Sequence, residues 1–378
     1  MERDQATKFM FDLLGLMVSK NGSDLFISTD FPPAMKIDGR ITPISGQSLT
    51  AAHTVELARA IMSDKQAAIF EQTKECNFAI NPGSLGRFRV SAFMQMGRVG
   101  MVLRTINTEI PQLDDLGLPD ILKDVAMEKR GLVLMVGATG SGKSTTLAAM
   151  LGHRNENSYG HIITVEDPVE FVHPNKNCLI THREVGVDTE GWGIALKNAL
   201  RQAPDVIQIG EIRDRETMDY AIMFAETGHL CLATLHANSS NQALDRIINF
   251  FPEERRQQLL MDLSFNLKGM IAQRLIPLKN TKGRCAAVEI MLNSPYISDL
   301  IFRNQVHEIK EVMKRSRELG MQTFDQSLFE LYEADLITYE DALRNADSVN
   351  DLRLAIKLQG KESKNRDLAA GTKHMDLV

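Results

Sequence analysis

The stretch GLVLMVGATGSGKST, residues 131–145, constrains the fold more than any other part of the chain. An apolar run that is typical of a buried strand leads into a glycine-rich turn of the pattern GxxxxGK[ST], and a helical pattern follows. In such an arrangement backbone N–H groups surround phosphate oxygens at the N-terminus of a helix. The sequence therefore predicts a phosphate-binding loop between a strand and a helix, with a plain glycine-rich turn as the alternative.

Two side chains of this loop have the chemistry that a bound nucleoside triphosphate requires. Lys143 is predicted to place its ammonium group on the β and γ phosphates, and the Ser144 hydroxyl is predicted to ligate Mg²⁺. ATP and Mg²⁺ are therefore the predicted ligands. The predicted nucleotide-binding residues are Gly137, Ala138, Thr139, Gly140, Ser141, Gly142, Lys143, Ser144 and Thr145.

Further apolar runs alternate with helical segments after the loop, at residues 161–167, 205–211, 229–236 and 285–291. Continuous apolar strands separated by helices predict a parallel sheet that is covered on both faces. Ligands of such sheets bind at the carboxyl ends of the strands. Polar side chains that follow these strands are therefore the candidates for chemistry.

The chain also divides into regions of different pattern. Residues 1–106 predict a small α/β domain with an N-terminal amphipathic helix, a hairpin signal at Asp38-Gly39, a helical stretch over 50–71 and two strands within 88–106. Turn formers predict a linker at 107–118, and the sheet region spans 119–295. A helical region over 296–360, with a helix that begins at Thr338, precedes a polar tail at 361–378 that is predicted to be disordered.

Carboxylates follow two of the predicted strands. Glu166, Asp167 and Glu170 form either a solvated acidic loop or a site for a general base or for the hydration shell of a metal. Glu211 is either an acid that interacts with the dipole of a helix beginning near Arg213 or a carboxylate that reaches magnesium through water. Gln208 fits either a polar position beside the nucleotide or a satisfied core amide.

Histidines and arginines are the remaining candidates. His229 and His236 are seven residues apart and would face opposite sides of one strand, which argues against a shared metal. His236 falls at the carboxyl end, where it is either a sensor of the γ-phosphate or a structural hydrogen-bonding group. Arginines near or within the strands either cover apolar surface or stabilise charge on a phosphoryl group in a neighbouring subunit. These arginines are Arg87, Arg89, Arg98, Arg104 and Arg130.

Composition argues against several classes of site and partner. The net charge of -6 argues against a surface that neutralises many phosphates, so nucleic acid is not a predicted partner. No apolar run is long enough to cross a bilayer, so any membrane role would be peripheral. The cysteines lack the CxxC spacing of a zinc or redox site, and small buried side chains in a reducing cytoplasm are predicted. They are Cys76, Cys178, Cys231 and Cys285.

In order and spacing, GATGSGKST, TVEDPVEF, DVIQIGEIRDRET and ETGHLCLATLH resemble the Walker A, Asp box, Walker B and His box of the secretion-superfamily ATPases. The chain from about residue 5 to 357 resembles the PilT/PilU family of type IV pilus retraction ATPases, in which it is most similar to the PilU branch. Ala203 stands where PilT-type motors usually have an acid. The segment YISDLI, residues 296–301, replaces the AIRNLI signature that is tied to retraction.

The resemblance implies a PAS-like α/β N-terminal domain followed by a RecA-like P-loop ATPase domain with a helical C-terminal part, assembled as a homo-hexamer. It implies that Glu170 is the general base and that Glu211 supports magnesium. The His-box histidines are His229 and His236, and the arginines that approach the phosphates are Arg89, Arg104 and Arg130. Arg98, which follows Gly97, is displaced from the family's position and does not belong to this set.

The implied function is an ATP-hydrolysing motor that assists pilus retraction and twitching motility as an accessory of a PilT-like ATPase. An inner-membrane platform protein is the implied further partner, and the implied location is the cytoplasmic side of the pilus base. Two alternatives are a nucleotide-bound structural module on a PilT ring and an assembly ATPase of secretion or DNA uptake. The second is weakened because the chain lacks a CxxC element and a long N-terminal extension.

Overall fold

The structure is a computed structural model that describes residues 3–37, 39–106 and 109–360. The chain forms two compact units. The first comprises the chain up to Ile110 together with Asp167–His173 and Glu184–Glu190, and the second comprises the rest. The mixed α/β class is confirmed, whereas the predicted boundaries at residues 106, 118, 295 and 360 stay predictions.

The first unit contains a six-stranded antiparallel sheet. Its strands are β1 (Asp24–Ile27), β2 (Ala34–Ile37), β3 (Arg40–Pro43), β4 (Glu75–Ile80), β5 (Arg87–Gln95) and β6 (Arg98–Ile106), in the order β3-β2-β1-β6-β5-β4. The hairpin of β2 and β3 pairs Ile37 with Arg40, as predicted, although Asp38 lies outside the described residues. The hairpin of β5 and β6 turns at Met96-Gly97, where both φ angles are positive, as a tight hairpin turn requires.

Helices α1 (Arg3–Ser19), α2 (Ala51–Ile61) and α3 (Asp64–Thr73) complete this unit. The helical stretch predicted over 50–71 consists of two helices, because Ser63 caps the start of α3. Its hydroxyl accepts a hydrogen bond from the Gln66 backbone N–H, while the Gln66 side chain accepts one from the Ser63 N–H. The core of this unit includes the fully buried side chains of Met10, Leu14, Leu57, Phe88 and Leu103.

The second unit contains a seven-stranded sheet in the order β13-β12-β7-β11-β10-β8-β9. Its strands are β7 (Gly131–Val136), β8 (Gly160–Glu166), β9 (Cys178–Glu184), β10 (Val206–Ile209), β11 (Leu230–Leu235), β12 (Leu267–Pro277) and β13 (Arg284–Leu292). Strands β12, β7, β11, β10 and β8 run parallel. The prediction that residues 285–291 extend the parallel sheet is wrong, because β13 pairs antiparallel with β12.

Helices surround this sheet and form the C-terminal part of the described chain. They are α4 (Ile121–Ala126), α5 (Lys143–Asn157), α6 (Trp192–Ala199), α7 (Arg215–Glu226), α8 (Ser240–Phe250), α9 (Glu253–Asn266), α10 (Pro295–Phe302), α11 (Ile309–Arg315), α12 (Phe324–Glu333), α13 (Tyr339–Asn345) and α14 (Val349–Gln359). Helix α13 begins after Thr338, whose hydroxyl accepts a hydrogen bond from the Asp341 N–H, as predicted. The tail at 361–378 lies outside the described residues. Among the helices described, none has the length and hydropathy of a membrane span.

Candidate functional site

The phosphate-binding loop connects β7, in the middle of the parallel strands, to α5. Gly137 and Gly142 both have positive φ angles, and a side chain at Gly137 would place its Cβ 2.8 Å from the Gln273 carbonyl oxygen. Lys143 is buried, and its Nζ donates hydrogen bonds to the carbonyls of Gly137 at 2.8 Å and Ala138 at 2.9 Å. Lys143 therefore closes the loop, and only glycine fits where β7 enters it.

The donor groups of this loop fit an anion. Helix α5 begins at Lys143 after Gly142, which has no side chain to cap the first N–H groups. The Ser141 hydroxyl is buried and lacks a hydrogen-bond partner within the described chain. Such a buried polar group is costly unless a ligand or water satisfies it. A cavity of about 320 Å³ adjoins the loop, and its other walls include Asn238, Gln273 and Arg274. These groups fit the phosphates of a nucleotide.

Glu211 lies at the same edge of the sheet, two residues after β10, and its carboxylate has two cationic or polar neighbours. Arg213 donates from Nη2 to Oε1, and His236 Nε2 lies 3.3 Å from Oε2. Burial opposes ionisation of this carboxyl group, but Arg213 and His236 outweigh burial, so the pKa of Glu211 is lowered. Glu211 is therefore a carboxylate at neutral pH, which is the form that can support a metal ion.

Backbone contacts hold the ends of these strands together. The Thr234 hydroxyl donates to the Gly210 carbonyl at 2.6 Å, and the Ile212 N–H donates to the Thr234 carbonyl at 2.9 Å. Helix α7 begins at Arg215, two residues after Arg213, and the Asp214 side chain accepts a hydrogen bond from the Thr217 N–H. Because Glu211 precedes the helix by several residues, a direct interaction with its dipole accounts poorly for the position of this acid. Gln208 is a buried residue within β10.

Glu170 lies in the loop that follows β8. This loop belongs to the first unit. Its side chain is exposed, whereas the preceding Val169 is buried. The Val169 N–H donates to Glu184 Oε2 at 3.2 Å. This bond fixes the backbone next to Glu170, while the role of Glu170 as a base stays a prediction.

His229 and Arg130 lie at the opposite edge of the sheet from the phosphate-binding loop. His229 precedes β11, Arg130 precedes β7, and the Gly131 N–H donates to the His229 carbonyl at 3.0 Å. The six-residue strands β7 and β11 separate this edge from the loop by about 20 Å. The His229 ring packs beside Phe224. Neither side chain can contact phosphates that this chain's own loop binds, so their predicted roles require the nucleotide of another subunit.

Arg89 and Arg104 face each other across strands β5 and β6 of the first unit. Both are exposed, and Arg104 Nε donates to Asp24 Oδ1 at 2.7 Å. Like charges that are directly opposite in a sheet are unfavourable, and the Asp24 carboxylate supplies an anion beside this pair. The approach of Arg89 and Arg104 to a phosphate stays a prediction. Arg98 forms an ion pair with Asp30.

The sequence interpretation missed two strands and several side chains at the site. Strand β12 follows α9 without turn residues, and β9 is an edge strand with polar positions, so neither shows a clear apolar run. Gln273 of β12 accepts a hydrogen bond from the Thr146 hydroxyl at 2.8 Å behind the phosphate-binding loop. Only the pairing of β12 with β7 reveals this contact. Arg213 had a signal in the sequence, because it lies two residues after Glu211.

We expect the Gly137→Ala variant to be destabilised and to bind nucleotide poorly. The new Cβ would lie 2.8 Å from the Gln273 carbonyl oxygen, a backbone atom that can move only with β12. The expected loss in the free energy of unfolding is about 1–3 kcal/mol. Urea denaturation without nucleotide measures it. Gly191→Ala is the control, because its Cβ would meet nothing within 4 Å, and equal stability of the two variants would contradict the prediction.

Known proteins resemble this chain over most of its length. Residues 12–323 match the family model described as type II/IV secretion system protein. The type IV pilus ATPase PilU of Pseudomonas aeruginosa is 58% identical over 97% of this chain and 95% of its own length. The type IV pilus retraction ATPase PilT of the same organism is 42% identical over 89% of this chain and 97% of its own length.

A crystal structure of the pilus retraction motor PilT with bound ADP superimposes with a TM-score of 0.85 and 37% sequence identity. The match covers 91% of this chain and 98% of that chain. The family model and these relatives cover both units of the fold. The chain therefore belongs to the type II/IV secretion system protein family, among its PilT- and PilU-type pilus ATPases.

Proposed function

We propose that this chain is an ATP-hydrolysing motor subunit that assists retraction of type IV pili and so supports twitching motility. The observation that carries the proposal is the phosphate-binding loop, in which buried Lys143 closes the loop and the Ser141 hydroxyl lacks a partner within the described chain. Glu211 and His236 stand together at the same edge of the sheet. The similarity to PilU and PilT over nearly the whole chain supports the pilus as the target.

The proposed hydrolysis divides the work among residues of this chain. The N–H groups of residues 137–145 and Lys143 hold the β and γ phosphates and neutralise charge as the bond to the leaving ADP breaks. Glu170 orients the attacking water and accepts its proton. His236, beside Glu211, interacts with the γ-phosphate. Arg89, Arg104, Arg130 and His229 are proposed to act on the nucleotide of a neighbouring subunit.

The donor groups also suit Mg²⁺, which prefers oxygen ligands and keeps several of its waters. The Ser144 hydroxyl at the start of α5 and the Glu211 carboxylate, which acts through water, would hold the ion. When bound, magnesium neutralises charge on the β and γ phosphates. The low pKa of Glu211 keeps this ligand ionised across the physiological pH range.

The proposed assembly is a homo-hexamer that acts with a PilT-like retraction ATPase and with an inner-membrane platform protein. It would work on the cytoplasmic face of the inner membrane at the pilus base. The relatives named PilU and PilT support the partnership. A PAS-like domain over residues 1–106, a linker at 107–118, a RecA-like core over 119–295 and a helical region over 296–360 are the proposed functional divisions.

A second candidate is a nucleotide-bound structural module that couples to a PilT ring without turnover of its own. The segment YISDLI favours it, since Tyr296 is largely exposed on α10 and Asp299 pairs there with Arg303 instead of presenting the AIRNLI signature. In this case ATP would stabilise the module, and its hydrolysis would be dispensable for motility.

One pair of experiments separates the two candidates. We expect purified protein to release phosphate from ATP only with magnesium, alone or with a PilT-like partner, and a gene deletion to reduce retraction. A strain with the Glu170→Gln variant should resemble the deletion if this chain is a motor. Normal twitching in that strain would favour the structural module. Absence of magnesium-dependent hydrolysis in every assembly state would refute the proposed ATPase activity.

A further inference from the structure

Glu184 is the last residue of β9, and its buried carboxylate contacts two other groups of the first unit. Its side chain is only 3% exposed, and it forms an ion pair with Nη2 of Arg87. Its Oε2 also accepts a hydrogen bond from the Val169 N–H at 3.2 Å. Arg87 lies 97 residues before Glu184 in the chain, so the fold brings these two side chains together.

Backbone hydrogen bonds of Glu184 also restrain the position of its carboxylate. The Glu184 N–H donates to Asp188 Oδ2 at 2.9 Å, and the Glu184 carbonyl accepts from the Asp188 N–H at 2.8 Å. On the other side, Arg87 is the first residue of β5, where it pairs with Ile106. The carboxylate therefore connects a rigid sheet to the loop Asp167–His173.

The donor of this hydrogen bond matters because Val169 directly precedes Glu170. The Val169 N–H belongs to the planar peptide group between Pro168 and Val169, so the bond to Glu184 places the Val169 Cα. Only the φ and ψ rotations of the buried Val169 then separate this fixed point from Glu170. Glu170 itself is exposed, and the buried side chain of Val169 is its nearest anchor in sequence. A carboxylate that must hold a water molecule in line for attack requires such support.

We propose that Glu184 is a positioning residue for Glu170, with Arg87 as the counter-charge that holds the Glu184 carboxylate in place. This inference rests on the proposed function, in which Glu170 accepts the proton of the attacking water. The Arg87 side chain is more than three-quarters buried, so removal of either charge would leave the other buried and unpaired. Through this ion pair, strand β5 of the first unit supports the loop that carries Glu170.

The test is a double-mutant cycle on single-turnover ATP hydrolysis. Glu184→Gln keeps an oxygen for the Val169 N–H but removes the charge that Arg87 requires. We expect it to lower the hydrolysis rate about tenfold to a hundredfold, the loss that a misplacement of about 1 Å causes. The affinity for a fluorescent ADP analogue should stay within about twofold, since the phosphate-binding loop is untouched. Added to Glu170→Gln, Glu184→Gln should have no further effect, because both act through one group.

The control is Asp325→Asn in the second unit. Like Glu184, Asp325 accepts hydrogen bonds from backbone N–H groups, those of Asp347 at 2.8 Å and Ser348 at 3.1 Å. It should leave the rate within about twofold of wild type. If Glu184→Gln does not fold, the pair Arg87→Gln with Glu184→Gln removes both charges and leaves neither unpaired, and the cycle is run on that pair.

Each outcome decides the inference. An unchanged rate in Glu184→Gln, or a rate loss of the same factor in the Glu170→Gln background, would show that Glu184 is only structural. If Glu170→Gln alone retains full turnover, the assignment of the base fails and the inference is overturned with it. Absence of hydrolysis in the wild type would instead refute the proposed function itself.

Discussion

Replacement of Lys143 by alanine is expected to lower ATP turnover about a hundredfold to a thousandfold, the effect of losing one preorganised donor to a developing charge. Two losses combine in this variant. The ammonium group no longer neutralises the β and γ phosphates. The hydrogen bonds from Nζ to the carbonyls of Gly137 and Ala138 also disappear, so the loop loses the contact that closes it. We therefore expect weaker nucleotide binding as well as slower hydrolysis.

Phosphate release and titration with a fluorescent ADP analogue measure the two effects separately. Lys197→Ala is the matched control, because Lys197 is an exposed lysine on α6 of the same unit. It should behave like the wild type in both assays. Wild-type turnover in Lys143→Ala would mean that residues 137–145 do not bind the phosphates of the hydrolysed nucleotide.

Replacement of Glu170 by glutamine should separate binding from chemistry. The amide cannot accept a proton from water, so turnover should fall about a hundredfold to ten-thousandfold, the usual contribution of a general base. Nucleotide affinity should remain within about twofold, because Glu170 lies outside the phosphate-binding loop. This contrast with Lys143→Ala identifies the step at which each side chain acts.

Two further variants sharpen this result. Glu75→Gln, at an exposed residue of β4, is a control for loss of a surface carboxylate in the same unit. Asp167→Asn tests the other exposed acid of the loop. If Asp167→Asn abolished turnover while Glu170→Gln did not, the base would be Asp167, and the assignment implied by the family resemblance would be wrong for this chain.

Local pattern was sufficient for the elements that depend on few residues. The strand and loop at residues 131–145 were predicted because an apolar run, glycines at positive φ and a following helix are all local properties. The start of α13 at Thr338 followed from one capping residue. The break between α2 and α3 at Ser63 was missed, although its capping box is also local.

The sequence pattern did not predict the features that depend on strand pairing. Residues 285–291 look like another parallel strand, yet β13 runs antiparallel because β12 precedes it through a short connection. Strand β12 carries Gln273 and Arg274 in a run that has no apolar periodicity, and its place beside β7 is what puts them at the phosphate-binding loop. No property of these residues in isolation predicts that place.

The sequence by itself determined the phosphate-binding loop, the order of the chemical motifs and the family, since these depend on residue identity and short spacing. Only the tertiary structure decided which side chains meet. In the fold, His236 lies beside Glu211, and Glu184 contacts Arg87 and Val169. His229 and Arg130 lie at the edge of the sheet opposite the phosphate-binding loop. The physical reason is that these contacts form between segments far apart in the chain, whose distances follow from strand order and burial and not from local conformational preference.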